Sequence, residues 1–255
     1  MSMAHIIAIA NHKGGVGKTT SVANIGAALN QKGKRVLLVD LDAQQNLTSC
    51  FLPDEKVEAL EVSVYDALVG KKPLPVITLK DGLCIVPSGI ELARAEIDLS
   101  QKLAREQILK KLLLPLAQDY DFILLDCPPS LGVITTNALT AAEALYIPLT
   151  AEALPLKGLR MLEAVVEEVR ESINPTLSLS GVFITRYNTR KSLNNMVWET
   201  IAEKYGSVVF KSYIRENIAV AEAPLMQKPI CDYAPESNGA KDYEALTEEI
   251  LSRWK

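Results

Sequence analysis

The sequence predicts an α/β fold in which a mostly parallel, twisted sheet carries helices on both faces. Short, nearly continuous apolar runs recur along the chain, and segments of helical period separate most of them. Composition agrees: 255 residues at 48% apolar and 23% charged suit one domain spanning residues 1–255, and neither internal repeats nor a low-complexity linker divides it. The runs Ile6–Ala10, Val36–Val39, Leu83–Val86, Phe122–Leu125, Leu145–Pro148, Gly181–Thr185 and Val208–Ile214 read as strands. Pro53–Glu58 and Lys71–Pro75 read as loops inside the domain, because strand–helix alternation resumes after each. Tyr243–Lys255 reads as a helix with Leu246, Ile250 and Leu251 on one face.

The charge balance removes several function classes. With 27 Lys and Arg against 31 Asp and Glu, the net charge is −4, so the surface as a whole is no polycationic nucleic-acid footprint. No apolar stretch approaches the roughly 20 residues that cross a bilayer, and Met1–His5 lacks the basic lead of a secretory signal. The last helix carries Glu244, Glu248 and Glu249 beside its apolar face, which disfavours binding to a membrane surface. Cys50, Cys84, Cys127 and Cys231 are widely spaced and form no C-x-x-C, which fits a reduced, cytoplasmic interior.

Strand Ile6–Ala10 runs into Asn11-His12-Lys13-Gly14-Gly15-Val16-Gly17-Lys18-Thr19-Thr20, followed by a helical pattern with Val22, Ile25, Ala28 and Leu29 on its apolar face. Strand, Gly-rich loop and helix N-terminus are the parts of a phosphate-binding loop, and they place the chain in the P-loop NTPase fold. Glycines let backbone N–H groups approach phosphates, Lys18 reaches the β/γ oxygens, and the Thr19 hydroxyl suits Mg²⁺. The usual first glycine position holds His12, and the pattern present is K-G-G-x-G-K-T with an extra leading lysine, Lys13. Six fixed positions arise by chance on the order of once in 10⁵ chains of this length.

On this loop the chain resembles the ParA/MinD family of deviant Walker A ATPases, and within it the ParA (Soj-like) partition branch, over nearly all of its length. The resemblance implies ATP and Mg²⁺ as cofactors and a homodimer that sandwiches ATP. It implies a leading lysine, Lys13, that crosses to the phosphates held by the other subunit. A second cation there stabilises charge on the transferring phosphoryl group, so supplying it in trans ties hydrolysis to dimerisation.

Two further elements follow in order. Val36-Leu37-Leu38-Val39-Asp40-Leu41-Asp42-Ala43-Gln44-Gln45 is a buried strand ending in two carboxylates. By resemblance to the family's D-x-D-P-Q element, Asp42 positions or activates the attacking water and Asp40 lies near the Mg²⁺ shell. The alternative reading is that one aspartate, Asp40 more than Asp42, is only an N-cap for the helix that follows. Ala43 stands for the family's proline and Gln45 for its glycine. Phe122-Ile123-Leu124-Leu125-Asp126 matches a Walker B strand, in which Asp126 holds Mg²⁺. Asn137-Ala138-Leu139 through Glu143, then Ile147-Pro148 and Gly158-Leu159, resemble the family's dimer-facing segment.

Residues 181–230 carry seven Lys or Arg against four Glu, a local excess that suits either an electrostatic footprint or a solvated surface. Two stretches there, Tyr187–Leu193 and Tyr213–Pro224, resemble the family's segments near a surface for nonspecific double-stranded DNA, which makes Arg190, Lys191 and Arg215 candidate phosphate contacts; Lys211 and Lys228, outside both stretches, are further candidates as basic neighbours of the second. Ala219 stands where relatives commonly have arginine. The resemblance further implies stimulation of ATP hydrolysis by a ParB-like centromere-binding partner, and nucleoid association in the ATP state. The alternative, a MinD-like membrane-associated positioning ATPase, calls for a basic amphipathic tail where this chain is acidic.

Overall fold

The computed structural model describes residues 3–70, 72–151 and 155–254, with the backbone alone at 155–158. Among them, β1 (His5–Ile9), β2 (Val36–Asp40), β3 (Ile77–Lys80), β4 (Leu83–Val86), β5 (Phe122–Asp126), β6 (Ala144–Thr150) and β7 (Ser178–Thr185) form one sheet. Its order is β3-β4-β2-β5-β1-β6-β7. Every neighbouring pair is parallel except β3–β4. The helices are α1 (Lys18–Gln31), α2 (Asn46–Ser49), α3 (Asp54–Glu58), α4 (Val64–Gly70), α5 (Ala95–Leu99), α6 (Ile108–Leu113), α7 (Val133–Ala141), α8 (Pro155–Ser172), α9 (Ser192–Tyr205), α10 (Ile218–Glu222), α11 (Ile230–Tyr233) and α12 (Asn238–Arg253).

The two-residue alternation of a strand sorts the core into two layers. Ile7, Ile9, Val36, Leu38, Phe122 and Leu124 point to one face, where they meet Val22, Ile25 and Leu29 of α1 and Tyr243, Leu246 and Ile250 of α12. Ala8, Leu37, Val39, Ile123 and Leu125 point to the other, against helices α4 to α9. Strands buried on both sides must be apolar at every position, which is why they read as runs rather than as alternation. The apolar face of α12 is thus buried against α1 and the sheet, while its acidic residues Glu244 and Glu248 reach Lys32.

Three expectations are corrected. The run 208–214 is not a strand. It follows β7 through isolated bridges at Val209 and Arg215, while the N–H groups of Lys211 and Ser212 donate to the Glu249 carboxylate, which breaks the ladder between them. The missing strand is β3, a four-residue antiparallel edge with a register shift between Thr78 and Lys80. Pro53–Glu58 is a loop only at its start, since Asp54–Glu58 forms α3 with Asp54 and Glu55 in its first turn, where negative charge is favoured. Of Lys71–Pro75, residue 71 lies outside the described residues and the rest has no regular structure, as expected. The four cysteines are free thiols, and no described helix is long and apolar enough to cross a membrane.

Gly181 lets β7 lie against two rings. A Cβ built on it would stand 2.3 Å from Phe210 and 2.7 Å from Tyr146, which themselves meet edge to face at 5.3 Å. Gly181→Ala is expected to destabilise the protein by roughly 1–3 kcal/mol through overpacking, measured as a fall of several degrees in Tm.

Candidate nucleotide site

β1 lies between β5 and β6, where the order of the sheet reverses, so the loop leaving it opens onto the crevice at the carboxyl ends of the strands. Within that loop Gly15 and Gly17 adopt φ of +72° and +85°, a left-handed backbone that glycine takes without a Cβ penalty. Gly17 immediately precedes α1 and turns the helix N-terminus toward the loop. Side chains from outside hold this backbone. Asn11, 3% exposed, donates through Nδ2 to the Pro148 carbonyl at 2.7 Å and accepts the Lys13 N–H at 2.9 Å. Thr185, at the end of β7, donates to the Val16 carbonyl at 2.8 Å. His12 is exposed, with Nδ1 3.1 Å from the Pro129 carbonyl.

Lys18 is the first residue of α1 and is 7% exposed, its Nζ donating to the Lys13 carbonyl at 3.3 Å. Burial lowers the pKa of its ammonium, opposed by the charges of Asp126 and Asp42 among its neighbours. Asp126 closes β5 and is fully buried. Neither of its carboxylate oxygens makes a well-formed hydrogen bond among the described residues, the Thr19 hydroxyl approaching without closing one. Burial, reinforced by Asp40, raises its pKa, whereas the Thr19 hydroxyl and Lys18 favour the charged form. A buried carboxylate left without a partner, beside a hydroxyl and a desolvated ammonium, fits a Mg²⁺–nucleotide. Among the described residues no three His, Cys, Asp or Glu side chains converge into an all-protein metal cage. Mg²⁺ held with a nucleotide requires none, because phosphate oxygens and waters supply most of its ligands.

Asp40 and Asp126 are partners in register across β2 and β5. The oxygens of Asp40 accept from the Asp42 N–H at 3.1 Å, the Thr48 N–H at 2.8 Å and the Thr48 hydroxyl at 2.7 Å. Burial pushes its pKa up to about 6 despite these bonds. Asp40 thereby acts from β2 on the first turn of α2, and what it offers a cation is charge at one remove. Thr48 extends the chain, accepting the Ser88 N–H at 3.0 Å from the loop after β4. Asp42 is half-buried and accepts the Gln44 N–H at 3.0 Å. Gln45, before α2, has φ +57°, so the loop keeps a left-handed turn at the position where the family pattern has glycine.

The basic candidates do not form one group. Arg190, Lys211 and Lys228 are exposed and make no ion pair among the described residues. Lys191 stands 3.9 Å from Glu216. Arg215 is committed elsewhere: its guanidinium donates to both oxygens of Asp242 at 2.6–3.1 Å and its backbone N–H to Oδ2 at 2.9 Å. Asn137, Ala138 and Leu139 are buried, and Asn137 bonds to Leu109, Arg105 and Val133, so these side chains shape the fold. Sequence reasoning missed Asn11, Thr48 and Thr185; for Asn11 and Thr185 the one local signal is a short polar side chain at or just beyond a strand end, and Thr48 lies within α2.

Thr48→Val keeps the shape of the side chain and removes two buried hydrogen bonds. The unfolding free energy of the nucleotide-free protein, measured in urea, is expected to fall by about 1–3 kcal/mol, with Thr48→Ser close to the wild type. Gln45→Gly is expected to raise it by up to about 1 kcal/mol, by relieving the left-handed turn.

Comparison with known proteins bears on this geometry. A family model described as an AAA domain matches residues 4–179. Sporulation initiation inhibitor protein Soj of Bacillus subtilis is 43% identical, covering 98% of this chain and 99% of its own length. Chromosome partitioning protein ParA of Caulobacter vibrioides is 39% identical, covering 97% and 94%. A crystal structure named cobyrinic acid a,c-diamide synthase, from Mycobacterium smegmatis with bound ADP and magnesium, superposes with a TM-score of 0.86 at 36% identity, covering 99% and 96%. With three ordered nucleotide-site elements at the carboxyl edge of a parallel sheet and full-length similarity to Soj and ParA, the chain belongs to the ParA/Soj family of partition ATPases.

Proposed function

We propose that this protein hydrolyses ATP to ADP and phosphate with Mg²⁺, and that ATP drives it into a sandwich dimer that binds DNA without sequence preference. The observation that carries the reading is the desolvated Lys18 at the N-terminus of α1, set against the buried, unpartnered carboxylate of Asp126. The loop 13–20 cradles the phosphates with backbone N–H groups, and Lys18 draws charge from the β/γ oxygens. Thr19 and Asp126 would hold Mg²⁺, with Asp40 in register beside Asp126. Bound Mg²⁺ neutralises phosphate charge as it develops. Asp42, half-buried on the loop after β2, orients the attacking water and takes its proton. Lys13, exposed at the head of the loop, supplies a cation to the nucleotide of a second copy.

For DNA, Arg190 with Lys191, Lys211 and Lys228 offers phosphate contacts that double when two copies join. Arg215 contributes only if its bidentate pair with Asp242 opens. Ala219 sits half-buried in the first turn of α10, its N–H bonded to Asn217, and brings no charge to that surface. A ParB-like centromere-binding protein accelerates hydrolysis and resets the dimer, and the ATP state resides on the nucleoid. The burial of the apolar face of α12 argues against the MinD-like alternative, since that face is not available to lipid.

Lys18→Ala is expected to lose ATP binding or turnover, whereas Asp42→Ala should bind ATP, stall hydrolysis and accumulate as a dimer in size-exclusion chromatography. The Asp42→Ala dimer should bind a random-sequence duplex with ATP and not with ADP, and its affinity should fall more than about tenfold between 50 and 200 mM salt. Wild-type turnover by Asp42→Ala would overturn the assignment of Asp42. Absence of duplex binding by an intact ATP dimer would overturn the DNA reading.

A further inference from the structure

The phosphate loop leaves the sheet at a defined point. β1 and β6 pair from Ile7 with Ala144 to Ile9 with Tyr146, and the Ala10 N–H still donates to the Tyr146 carbonyl at 3.2 Å. In a parallel ladder the next carbonyl on that side of β6 is two residues on, at Pro148, and its partner would be the N–H of residue 12. That carbonyl receives the side chain of Asn11 instead, Nδ2 to O at 2.7 Å. One side-chain bond therefore replaces a main-chain one, and His12 and Lys13 are released from the sheet at the head of the loop. The other end of the same amide accepts the Lys13 N–H at 2.9 Å, closing a two-residue turn. Both ends are engaged, which fixes the orientation of the amide: only Nδ2 can donate to a carbonyl, and only Oδ1 can accept an N–H. Both polar ends of the Asn11 side chain are thus committed to backbone groups of the protein itself.

We propose that Asn11 is a positioning residue for Lys13, holding the backbone from which that lysine reaches the nucleotide of a second subunit. The inference rests on the reading that Lys13 acts in hydrolysis. A lysine side chain has four rotatable bonds, so the direction in which its ammonium can work is set by where its backbone is anchored. The backbones of Lys18 and Thr19 are set by α1, and Lys18 meets the head of the loop through Nζ, which donates to the Lys13 carbonyl at 3.3 Å. Loss of the Asn11 amide therefore frees the head of the loop at Lys13 while α1 keeps the backbones of Lys18 and Thr19 in place. Aspartate keeps the acceptor for Lys13 but presents a carboxylate oxygen to the Pro148 carbonyl, and serine or alanine is too short to span the two partners.

The test is a double-mutant cycle on the full chain, with Asn11→Ala, Lys13→Ala and the combined variant, reading Mg·ATP affinity, KM and the single-turnover hydrolysis rate. Asn11→Ala is expected to keep nucleotide affinity and KM within about threefold and to lose about tenfold or more in rate. The combined variant should be no more than about twofold slower than Lys13→Ala, because two residues acting as one unit do not add. Asn11→Ser repeats the measurement should Asn11→Ala fail to fold. Wild-type turnover by these Asn11 variants would overturn the proposal, as would loss of nucleotide binding together with turnover, which marks a residue that supports the whole site. Losses that multiply in the combined variant would also overturn it, since Asn11 would then act independently of Lys13. Lys13→Ala turning over at the wild-type rate would remove the reading of Lys13 itself, and the proposal with it.

Discussion

Two acids and one base lie buried side by side at the carboxyl edge of the sheet, and the rest of the molecule is arranged around that imbalance. Lys18 is desolvated, Asp126 has no hydrogen-bond partner among the described residues, and Asp40 adds a second carboxylate in register with it. A charge taken out of water is costly unless another charge or a set of donors meets it. Here the acids outnumber the base, and burial raises the pKa of both carboxyls toward their neutral forms. A divalent cation beside them would favour the charged forms. The parallel sheet makes this affordable in geometry alone, because β1, β2 and β5 end at one level and deliver their terminal residues to a single crevice.

Much of this was legible in the sequence, for reasons that differ between elements. The central strands declared themselves because burial on both faces leaves no polar position to interrupt them, as in Val36–Val39 and Phe122–Leu125. The phosphate loop declared itself because its chemistry is local: glycines at left-handed turns, a lysine and a threonine opening the helix, all within a few residues. Order along the chain then assigned Asp126, whose strand alone is a common pattern.

The features that escaped depend on residues distant in sequence. The strand propensity of 208–214 is real, but Glu249 from α12 captures two of its N–H groups, and nothing near residue 211 announces that. Arg215 counts as a positive charge in a sequence and as half of a bidentate pair in the fold, where Asp242 holds it. The role of Asp40 was visible only as a choice between cap and cation neighbour; it acts as a distant cap of α2 through Thr48 while contributing charge next to Asp126. β3 is short and irregular, and a four-residue edge strand after two prolines carries little pattern to detect.

The borders of the sheet carry a consequence for how this protein behaves at high concentration. The outer side of β7 is occupied along much of its length by the 209–215 segment, which follows the strand without continuing the ladder. The opposite border, β3, is four residues long with a shifted register, a poor template for another strand. Neither side invites growth by strand addition, the usual origin of fibrils and swapped oligomers. Contacts between copies are thereby directed to loops and side chains rather than to strand edges.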